Sequence, residues 1–206
     1  TIEILDGATR KRIPVSDYRT FTNEHLVAHS HAKRSLFEGR SYMVGALARL
    51  TLNGDRIQGL ARQVMEALKL KFPCANIVMN NIAQVVELVY SVEHALDLIQ
   101  ELFEAGYAAE TPVPYEVKAC AGAAATEVPR GTLFYSYEID SKGLIAGADV
   151  ITPTAQNFNN VEDQMRATVT QGLGAGASDD TIAQRLQIVA RAYDPCISCS
   201  VHLVRV

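Results

Sequence analysis

The last part of the sequence contains two cysteines and a histidine at regular intervals. Residues 194–202 read Asp-Pro-Cys-Ile-Ser-Cys-Ser-Val-His, so Cys199 and His202 follow Cys196 by three and six positions. In a helix these three side chains lie close to one face. Two thiolates and an imidazole favour nickel, copper, zinc or iron–sulfur chemistry over magnesium or calcium. The segment therefore predicts a site for a soft metal.

Asp194 and Pro195 are typical of the start of a helix. An aspartate accepts amide hydrogen bonds at the N-cap, and a proline is tolerated in the first turn. Cys196 would then lie in the first turn of this helix, where unpaired amides and the helix dipole favour a thiolate. The local sequence is thus consistent with a reactive or metal-binding cysteine.

A Cys-x-x-Cys pair alone is compatible with several other structures. A thioredoxin-like motif requires a long helix after the pair, and only seven residues follow Cys199. A structural zinc site needs four ligands, of which this segment offers Cys196, Cys199 and His202. The pair could also be purely structural. We interpret the isolated Cys74 and Cys120 as small buried apolar residues.

Further segments, combined with the cysteine motif, indicate a family. Residues 127–131 read Glu-Val-Pro-Arg-Gly, and residues 151–157 read Ile-Thr-Pro-Thr-Ala-Gln-Asn. Upstream, residues 30–33 read Ser-His-Ala-Lys and residues 42–49 read Tyr-Met-Val-Gly-Ala-Leu-Ala-Arg. Together these segments resemble the large (alpha) subunit of nickel–iron hydrogenases, in the cytoplasmic branch of sulfhydrogenase-type and NAD(P)-linked enzymes. The resemblance covers about residues 20–206.

The resemblance implies a role for each cysteine of the motif and for the histidine. Cys196 corresponds to the terminal nickel thiolate, which would also accept the proton when dihydrogen splits heterolytically. Cys199 corresponds to the thiolate that bridges nickel and iron. His202 resembles the ligand of a nearby magnesium or iron ion, together with a backbone carbonyl near Val150.

The resemblance also implies which residues surround the metals. Arg130 resembles the guanidinium held over the open metal position, with Asp194 as its carboxylate neighbour. A fixed cation at that place can polarise dihydrogen without becoming a ligand. Pro129, Arg130, Pro153 and Thr154 match the pocket around the carbon monoxide and cyanide ligands of the iron. There the Thr154 hydroxyl or a nearby amide would donate a hydrogen bond to a cyanide nitrogen.

Each of these polar residues also has a simpler interpretation. Arg130 could be an ordinary salt-bridged arginine, and Asp194 could be only a cap. Thr154 could serve only to cap a helix that runs from Gln156 onwards. His25, His29 and His31 lack matching acidic partners and are interpreted as surface or partner-facing residues, and His94, inside a predicted helix, is interpreted as a structural residue.

The sequence departs from the family pattern in two places. The first cysteine pair of the family is absent, and neither Cys74 nor Cys120 has a partner at the spacing that would replace it. We therefore interpret residues 1–206 as the C-terminal portion of a large subunit that supplies half of the nickel ligands and is inactive alone. Family members are commonly cut after the histidine, so residues 203–206 are interpreted as a cleavable maturation tail.

Helices and small antiparallel hairpins must position these residues. Hydrophobic alternation and turn residues predict one hairpin in residues 2–14 and another in residues 132–151. A short helix capped by Thr22 or Asn23 is expected over residues 24–27. Longer helices are predicted over residues 43–52, 55–70, 81–103, 157–173 and 181–192. The predicted fold class is mainly α with small antiparallel β hairpins (α+β), corresponding to part of a hydrogenase large subunit.

Three parts of the chain carry more specific expectations. Residues 81–103 have the clearest helical periodicity, so one face of this helix is expected to be buried. The apolar residues on that face are Ile82, Val85, Val86, Val89, Leu96, Ile99 and Phe103. The small residues 119–125 are expected to let a backbone segment or a bound group approach closely. Ser178 is expected to cap the last of the predicted helices.

Composition and charge exclude some classes of protein. A formal net charge of −4 argues against a nucleic-acid-binding surface. No apolar run approaches the roughly 20 residues of a membrane helix, and the N-terminus lacks signal-peptide character. We expect a cytoplasmic oxidoreductase that works with an iron–sulfur small subunit, flavin/NAD(P)-linked or similar electron-transfer subunits and a maturation protease. The alternatives are a nickel-free, hydrogenase-derived subunit of a respiratory-type complex and a zinc-stabilised interaction domain.

Overall fold

The computed structural model describes residues 1–196 and 198. The α-helices are α1 (Ala46–Asn53), α2 (Gly59–Ala67), α3 (Met79–Ala105), α4 (Pro153–Gly174) and α5 (Asp179–Tyr193). The strands are β1 (Ile2–Asp6), β2 (Thr9–Ile13), β3 (Asn23–Val27), β4 (Ser30–Leu36), β5 (Cys120–Val128), β6 (Gly131–Ile139) and β7 (Ile145–Ile151). They form the antiparallel sheets β1-β2, β3-β4 and β5-β6-β7. The predicted α+β class is confirmed.

The N-terminal hairpin forms where the alternating sequence predicts it. β1 and β2 pair from Ile2 opposite Ile13 to Asp6 opposite Thr9. Gly7, in the turn, has a φ of 59°, which glycine adopts without the steric cost that a Cβ would add. Because Ile2 is buried against the aromatic cluster described below, the hairpin covers part of the core.

A second hairpin replaces the short helix that the sequence predicts over residues 24–27. These residues belong to β3, which pairs with β4 through Asn23 opposite Leu36 and His25 opposite Arg34. Lys33 and Glu24 form a cross-strand ion pair of 2.8 Å. The helix prediction is wrong because it used only a local capping signal, whereas pairing with β4 gives the segment its backbone partners.

The three-stranded sheet contains the predicted β6-β7 hairpin and one additional strand. Residues 120–125 of the small-residue segment form the first part of β5, and all nine residues of β5 pair with β6. Cys120 lies at the start of this strand and is exposed, so the prediction that it is buried is wrong, whereas Cys74 is half-buried. The strand is also the element that leads to the Pro-Arg turn of residues 129–130.

The helix predicted over residues 55–70 is shorter in the structure and is preceded by a break. A 3₁₀ turn at Gly54–Arg56 precedes α2, which starts at Gly59 with a φ of 64°. The carboxylate of Glu93, on α3, accepts hydrogen bonds from the Leu60 and Ala61 amides at 2.7 and 2.9 Å. A carboxylate from a neighbouring helix therefore supplies the N-terminal cap, which the sequence of α2 lacks.

Three clusters of buried residues hold these elements together. The first joins α1, α2 and the start of α3 through Ala46, Leu47, Leu50, Ala61, Met65, Ala83 and Val86. The second is largely aromatic and joins the hairpins to the three-stranded sheet through Ile2, Tyr18, Phe21, Phe37, Phe134 and Ile151. The third anchors α5 through Ile77, Val189, Ala192 and Tyr193.

The long helix α3 confirms its predicted position but not the predicted burial along its length. Its buried residues are Asn80, Ala83 and Val86, all near the N-terminal end. Leu96 is 63% exposed and Phe103 is 73% exposed. The prediction that one face of the whole helix is buried is therefore wrong for the C-terminal half. No helix in residues 1–196 is both long enough and apolar enough to cross a membrane.

The last two helices begin at capping residues. α4 starts at Pro153, four residues before the predicted start, and the Thr152 hydroxyl accepts a hydrogen bond from the Ala155 amide at 3.3 Å. The Ser178 hydroxyl accepts a hydrogen bond from the Thr181 amide at 3.3 Å, which confirms its predicted role. α4 therefore begins inside the Pro-Thr motif, and Thr154 lies in its first turn.

Candidate active site

Arg130 lies in the tight connection between β5 and β6. We call residues 128–131 the Arg130 turn; Val128 pairs with Gly131 across it. A Cβ atom on Gly131 would lie 2.4 Å from the Val44 side chain, and one on Gly45 would lie 3.1 Å from the Arg130 carbonyl oxygen. Both glycines have positive φ, of 137° and 120°. They therefore allow residues 44–45 to pack directly against the Arg130 turn.

The guanidinium of Arg130 binds Asp194, as the resemblance predicts. Its Nε donates to the Asp194 carbonyl oxygen at 2.6 Å, and its Nη2 donates to Oδ1 at 3.3 Å. Nε also lies 3.1 Å from Oδ2, and both side chains are partly exposed. This ion pair between residues 64 positions apart agrees with the predicted site and also with an ordinary structural salt bridge.

Asp194 does not have the conformation of the predicted helix start. It ends α5 with φ 46° and ψ 56°, a left-handed conformation, whereas an N-cap residue has an extended backbone. Its amide donates to the Arg191 carbonyl oxygen at 3.1 Å. The prediction that Asp194 opens a helix is therefore wrong; it terminates one helix and holds Arg130.

Cys196 is brought to the N-terminal turn of α4. Its amide donates to the Thr154 hydroxyl oxygen at 3.3 Å, and its Sγ lies 3.3 Å from the Ser198 hydroxyl. Thr154 is buried, and the cap of α4 is Thr152, so the interpretation of Thr154 as the helix cap is wrong. An accepted hydrogen bond leaves the hydroxyl hydrogen of Thr154 to be donated to another ligand.

The first turn of α4 is fixed by two buried amides that the sequence reasoning did not single out. Asn157 accepts a hydrogen bond from the Val44 amide at 2.9 Å and donates to the Val44 carbonyl at 3.1 Å. Gln156 donates to the Thr132 carbonyl at 2.6 Å. The asparagine was visible as the last residue of the 151–157 segment, but its partner could not be read from the sequence.

Arg49 is a further residue that the sequence reasoning did not assign to the site. Its guanidinium donates to the carbonyl oxygens of Val128 and Pro129, both at 2.9 Å. It also binds the carboxylates of Glu87, at 2.7 Å, and Glu127, at 2.7 Å. Arg49 is the last residue of the family-like segment 42–49, but the sequence alone does not indicate that it contacts the Arg130 turn.

Asn80 joins the two layers that carry Arg49 and Asp194. Its side chain accepts a hydrogen bond from the Leu47 amide at 2.8 Å and donates to the Ala192 carbonyl at 2.7 Å. Because Asn80 is buried, both backbone groups depend on it. The start of α1 and the end of α5 are therefore fixed relative to each other next to the candidate site.

Pro129, Pro153 and Val150 are the other described residues that the resemblance assigns to the site. Pro129 lies in the Arg130 turn, and Pro153 is the first residue of α4. Val150 lies on β7 opposite Tyr135, close to the chain segment that leads into α4. The structure thus brings residues 128–131, 153–154 and 194–196 together, while the ligand roles of these residues remain predictions.

The other predicted ligands lie outside the described residues. These are Cys199, His202 and the predicted tail of residues 203–206. Within residues 1–196 and 198, no group of three histidine, cysteine, aspartate or glutamate side chains is placed to hold a metal ion. The described donors suit part of a metal site: Cys196 offers one soft ligand, and Thr154 and Arg130 offer donors for anionic ligands.

The histidines outside the motif contribute no metal cluster among the described residues. His29 is exposed and lies 3.5 Å from the Glu162 carboxylate. His94 is exposed and stacks against Tyr90 with ring centroids 5.8 Å apart. His31 is also exposed. The surface interpretation agrees with the exposure of His29 and His31, although Glu162 gives His29 an acidic neighbour that the sequence did not indicate. His25 is half-buried on β3.

Glu162, on α4, forms ion pairs with two arginines. Glu162 binds the buried Arg34 and, at 2.8 Å, Arg166. The hydrogen bonds from Arg34 and then Arg166 lower the pKa of the Glu162 carboxyl to about 2. Glu162 therefore stays charged well below the pH at which a glutamate ordinarily takes up a proton.

Comparison with solved structures identifies the class of fold. The chain matches the NAD⁺-reducing NiFe hydrogenase in its H₂-reduced state with a TM-score of 0.72 at 23% sequence identity, over 90% of this chain and 42% of that one. This similarity shows that the chain has the fold of part of a hydrogenase large subunit, and the family follows from sequence.

The chain belongs to the nickel-dependent hydrogenase family, whose model matches residues 7–202. It is 40% identical to the alpha subunit of sulfhydrogenase 1 from Pyrococcus furiosus, over 99% of this chain and 46% of that subunit. It is 34% identical to the alpha subunit of sulfhydrogenase 2 from the same organism, over 89% of this chain and 44% of that subunit. The chain thus spans about half the length of the curated relatives it matches.

Proposed function

We propose that this chain is the C-terminal portion of a hydrogenase large subunit that, when complete, catalyses the reversible heterolytic cleavage of dihydrogen to protons and electrons. The observation that carries the proposal is the convergence of three motif segments on one place. The Cys196 amide binds the Thr154 hydroxyl at 3.3 Å, and Arg130 binds Asp194 at 2.6 Å. Family membership supplies the reaction class, and these contacts support a common site.

The residues of the chain would hold a nickel–iron centre with carbon monoxide and cyanide ligands on the iron. When bound, this centre would supply the electrophilic metals on which dihydrogen is split. Cys196 and Cys199 would hold this centre as thiolate ligands, Cys196 as a nickel ligand and Cys199 as a ligand shared by the two metals. The Sγ of Cys196 would also take the proton released by heterolytic cleavage. His202 and the carbonyl of Val150 would hold a separate magnesium or iron ion.

The side chains around the metals would act by position and charge. Arg130, held by Asp194, would keep a positive charge over the open metal position, which favours polarisation of dihydrogen. The Thr154 hydroxyl would donate a hydrogen bond to a cyanide nitrogen, in a pocket completed by Pro129 and Pro153. Burial of Thr154 keeps competing water away from this hydrogen bond.

The proposed partners follow from the family. The electrons would pass to an iron–sulfur small subunit and then to NAD(P) or a similar acceptor through flavin-linked or related subunits. A maturation protease would remove residues 203–206 after the metals are inserted, and the enzyme would be cytoplasmic. Because the chain spans about half of its relatives, we expect it to be inactive alone. Nickel and infrared bands of cyanide and carbon monoxide in the isolated chain would contradict this expectation.

The decisive experiment uses a complete large subunit containing this chain, assembled with its small subunit. Nickel content and dihydrogen-dependent reduction of a viologen dye are measured for the parent and for Cys196→Ser. We expect the variant to lose nickel and activity, because a serine hydroxyl does not replace a soft thiolate ligand. Cys74→Ser and Cys120→Ser are matched controls and should keep both.

Two results would contradict the proposed function. Stoichiometric nickel and full activity in Cys196→Ser would remove this cysteine from the site. A parent complex that binds zinc alone, or no metal, would favour the interaction domain or the nickel-free respiratory-type subunit instead.

A further inference from the structure

Every donor of the Arg49 guanidinium has an acceptor. A guanidinium presents five N–H groups in a fixed plane. Two of them, on Nε and Nη2, bind both carboxylate oxygens of Glu87 at 2.7 Å, and Nη1 binds Glu127 at 2.7 Å. The remaining two donate to the carbonyl oxygens of Val128 and Pro129, at 2.9 Å each. Arg49 therefore joins three separate segments of the chain.

The two carbonyls lie immediately before Arg130 in the chain. On its other side, the Arg130 carbonyl oxygen packs against Gly45, where a Cβ would lie 3.1 Å away. The backbone of the Arg130 turn is therefore held from two directions. The orientation of the Arg130 side chain depends on a further contact, because Asp194 binds its guanidinium.

Arg49 and Glu87 lie next to buried residues of the hydrophobic core. Arg49 lies on α1, one position before the buried Leu50 and two after the buried Leu47. Glu87 lies on α3, one position after the fully buried Val86. Core packing thus fixes α1 and α3, and the Arg49 guanidinium ties the backbone of the Arg130 turn to these two helices.

Lysine could not make this set of contacts. An ammonium has three donors in a tetrahedral arrangement, whereas the planar fork of arginine meets a carboxylate with two parallel bonds. The two carboxylates also compensate the charge of Arg49, so this second guanidinium does not add an unpaired positive charge beside Arg130. The contacts thus combine geometric restraint with charge compensation.

We propose that Arg49, bound by Glu87, is a positioning residue that fixes the backbone of the Arg130 turn and thereby aims the Arg130 guanidinium at the place where dihydrogen reacts. The proposal rests on the proposed function of Arg130. It predicts that the chemical step, rather than metal content, depends on Arg49. A displacement of about 1 Å at a reacting group can lower a rate about 100-fold.

The test compares Arg49→Lys with Arg62→Lys in the complete complex. Arg62 is the matched control because it is exposed and its ion pair is with Glu66, four residues along the same helix. For Arg49→Lys we expect nickel content to be unchanged, kcat to fall about 10- to 100-fold, and KM for dihydrogen to change little. Hydrogen exchange of the Val128, Arg130 and Gly131 amides should become faster in Arg49→Lys and stay as in the parent in Arg62→Lys.

Glu127→Gln provides a second variant if Arg49→Lys fails to assemble. It removes the charge of one of the two carboxylates that bind Arg49 and keeps the shape of the side chain. Because this weakens only one of the contacts of Arg49, we expect a drop in kcat of about fivefold. The infrared bands of the iron ligands should shift in the same direction as in Arg49→Lys and stay unchanged in Arg62→Lys.

The outcomes separate this inference from the proposed function. Parent-like kcat, infrared bands and exchange in nickel-loaded Arg49→Lys and Glu127→Gln would overturn the positioning role alone. A parent complex without nickel or dihydrogen oxidation would overturn the proposed function, and the role of Arg49 with it.

Discussion

The two halves of α3 have similar apolar patterns but different surroundings. In residues 79–90, Ala83 and Val86 are buried against α1 and α2. In residues 91–105, Leu96 is 63% exposed and Phe103 is 73% exposed. A helical spacing of apolar residues therefore indicates a face that is suited to burial, but it does not determine whether the described residues bury it.

The same division separates the part of α3 that supports the candidate site from the part that does not. The first half supplies Asn80, which binds backbone groups of α1 and α5, and Glu87, which binds Arg49. The second half contributes one tertiary hydrogen-bonding group, Glu93, among the contacts described above. The site is thus supported where buried polar groups and core packing occur together.

The largest expected difference between the two regions is in the cost of deleting a leucine side chain. Leu47 is 2% exposed and Leu96 is 63% exposed. Leu47→Ala should lower the free energy of unfolding by about 3 kcal/mol, because it removes buried apolar surface and leaves a cavity. Leu96→Ala should change it by less than about 0.5 kcal/mol. Urea unfolding of both variants measures the difference, and equal costs would contradict the comparison.

Asn80 tests the polar part of the same region. Asn80→Ala would leave the Leu47 amide and the Ala192 carbonyl without their partner in a buried place. We expect a loss of about 2 kcal/mol in the free energy of unfolding, because unsatisfied buried groups keep their desolvation penalty. The control is Asn81→Ala, at a half-buried position next to it on α3, which should cost less than about 0.5 kcal/mol. A similar cost for the two variants would show that the hydrogen bonds of Asn80 are not what stabilises this region.

Local signals in the sequence predicted most elements and failed where contact with another element decides the conformation or the burial of a segment. The cap at Ser178 depends on nearby residues and is confirmed, and the helix predicted over residues 43–52 is present but starts three residues later, at Ala46. The helix over residues 24–27 was wrong because a paired strand, β4, decides its conformation. The α3 prediction failed on burial for the same reason, since packing partners are not visible in the periodicity of one helix.

The candidate site shows the same limit. Arg130 and Asp194 could be chosen together from motifs, although 64 positions separate them. Arg49 could not be chosen, since its contacts with Val128 and Pro129 span 79 and 80 positions and involve backbone carbonyls that carry no residue identity. Motifs therefore revealed the residues expected to do chemistry, while the residue that holds their backbone appeared only in the folded chain.

The ion pairs of Glu162, on α4, predict that the free energy of unfolding depends on pH. The pKa of Glu162 is lowered from 4.5 to about 2, so its charged form is favoured in the folded chain. Its contribution to stability is complete above about pH 4.5 and is lost as the pH falls from there towards 2. In Glu162→Gln this acid-dependent loss, on the order of 1–2 kcal/mol, should disappear from unfolding measured between pH 5 and 2. Unchanged acid sensitivity in the variant would contradict the assignment.

Replacement of Glu93 is expected to have the smallest effect on stability. It tests the C-terminal half of α3, whereas the leucine and asparagine variants above test mainly the N-terminal half and its packing. Both of its carboxylate oxygens accept amide hydrogen bonds at the start of α2, and this contact comes from the poorly packed half of α3. Glu93→Ala should cost about 1 kcal/mol, the typical value of a lost N-terminal cap, whereas the exposed Glu101→Ala should cost almost nothing. Because a Cβ on Gly59 would lie 2.5 Å from the Glu93 carboxylate, the contact also depends on a glycine at the start of α2. If Glu93→Ala and Glu101→Ala have equal stability in urea, the C-terminal half of α3 contributes little to the folded chain, and the contrast between its halves is greater than the hydrogen bonds indicate.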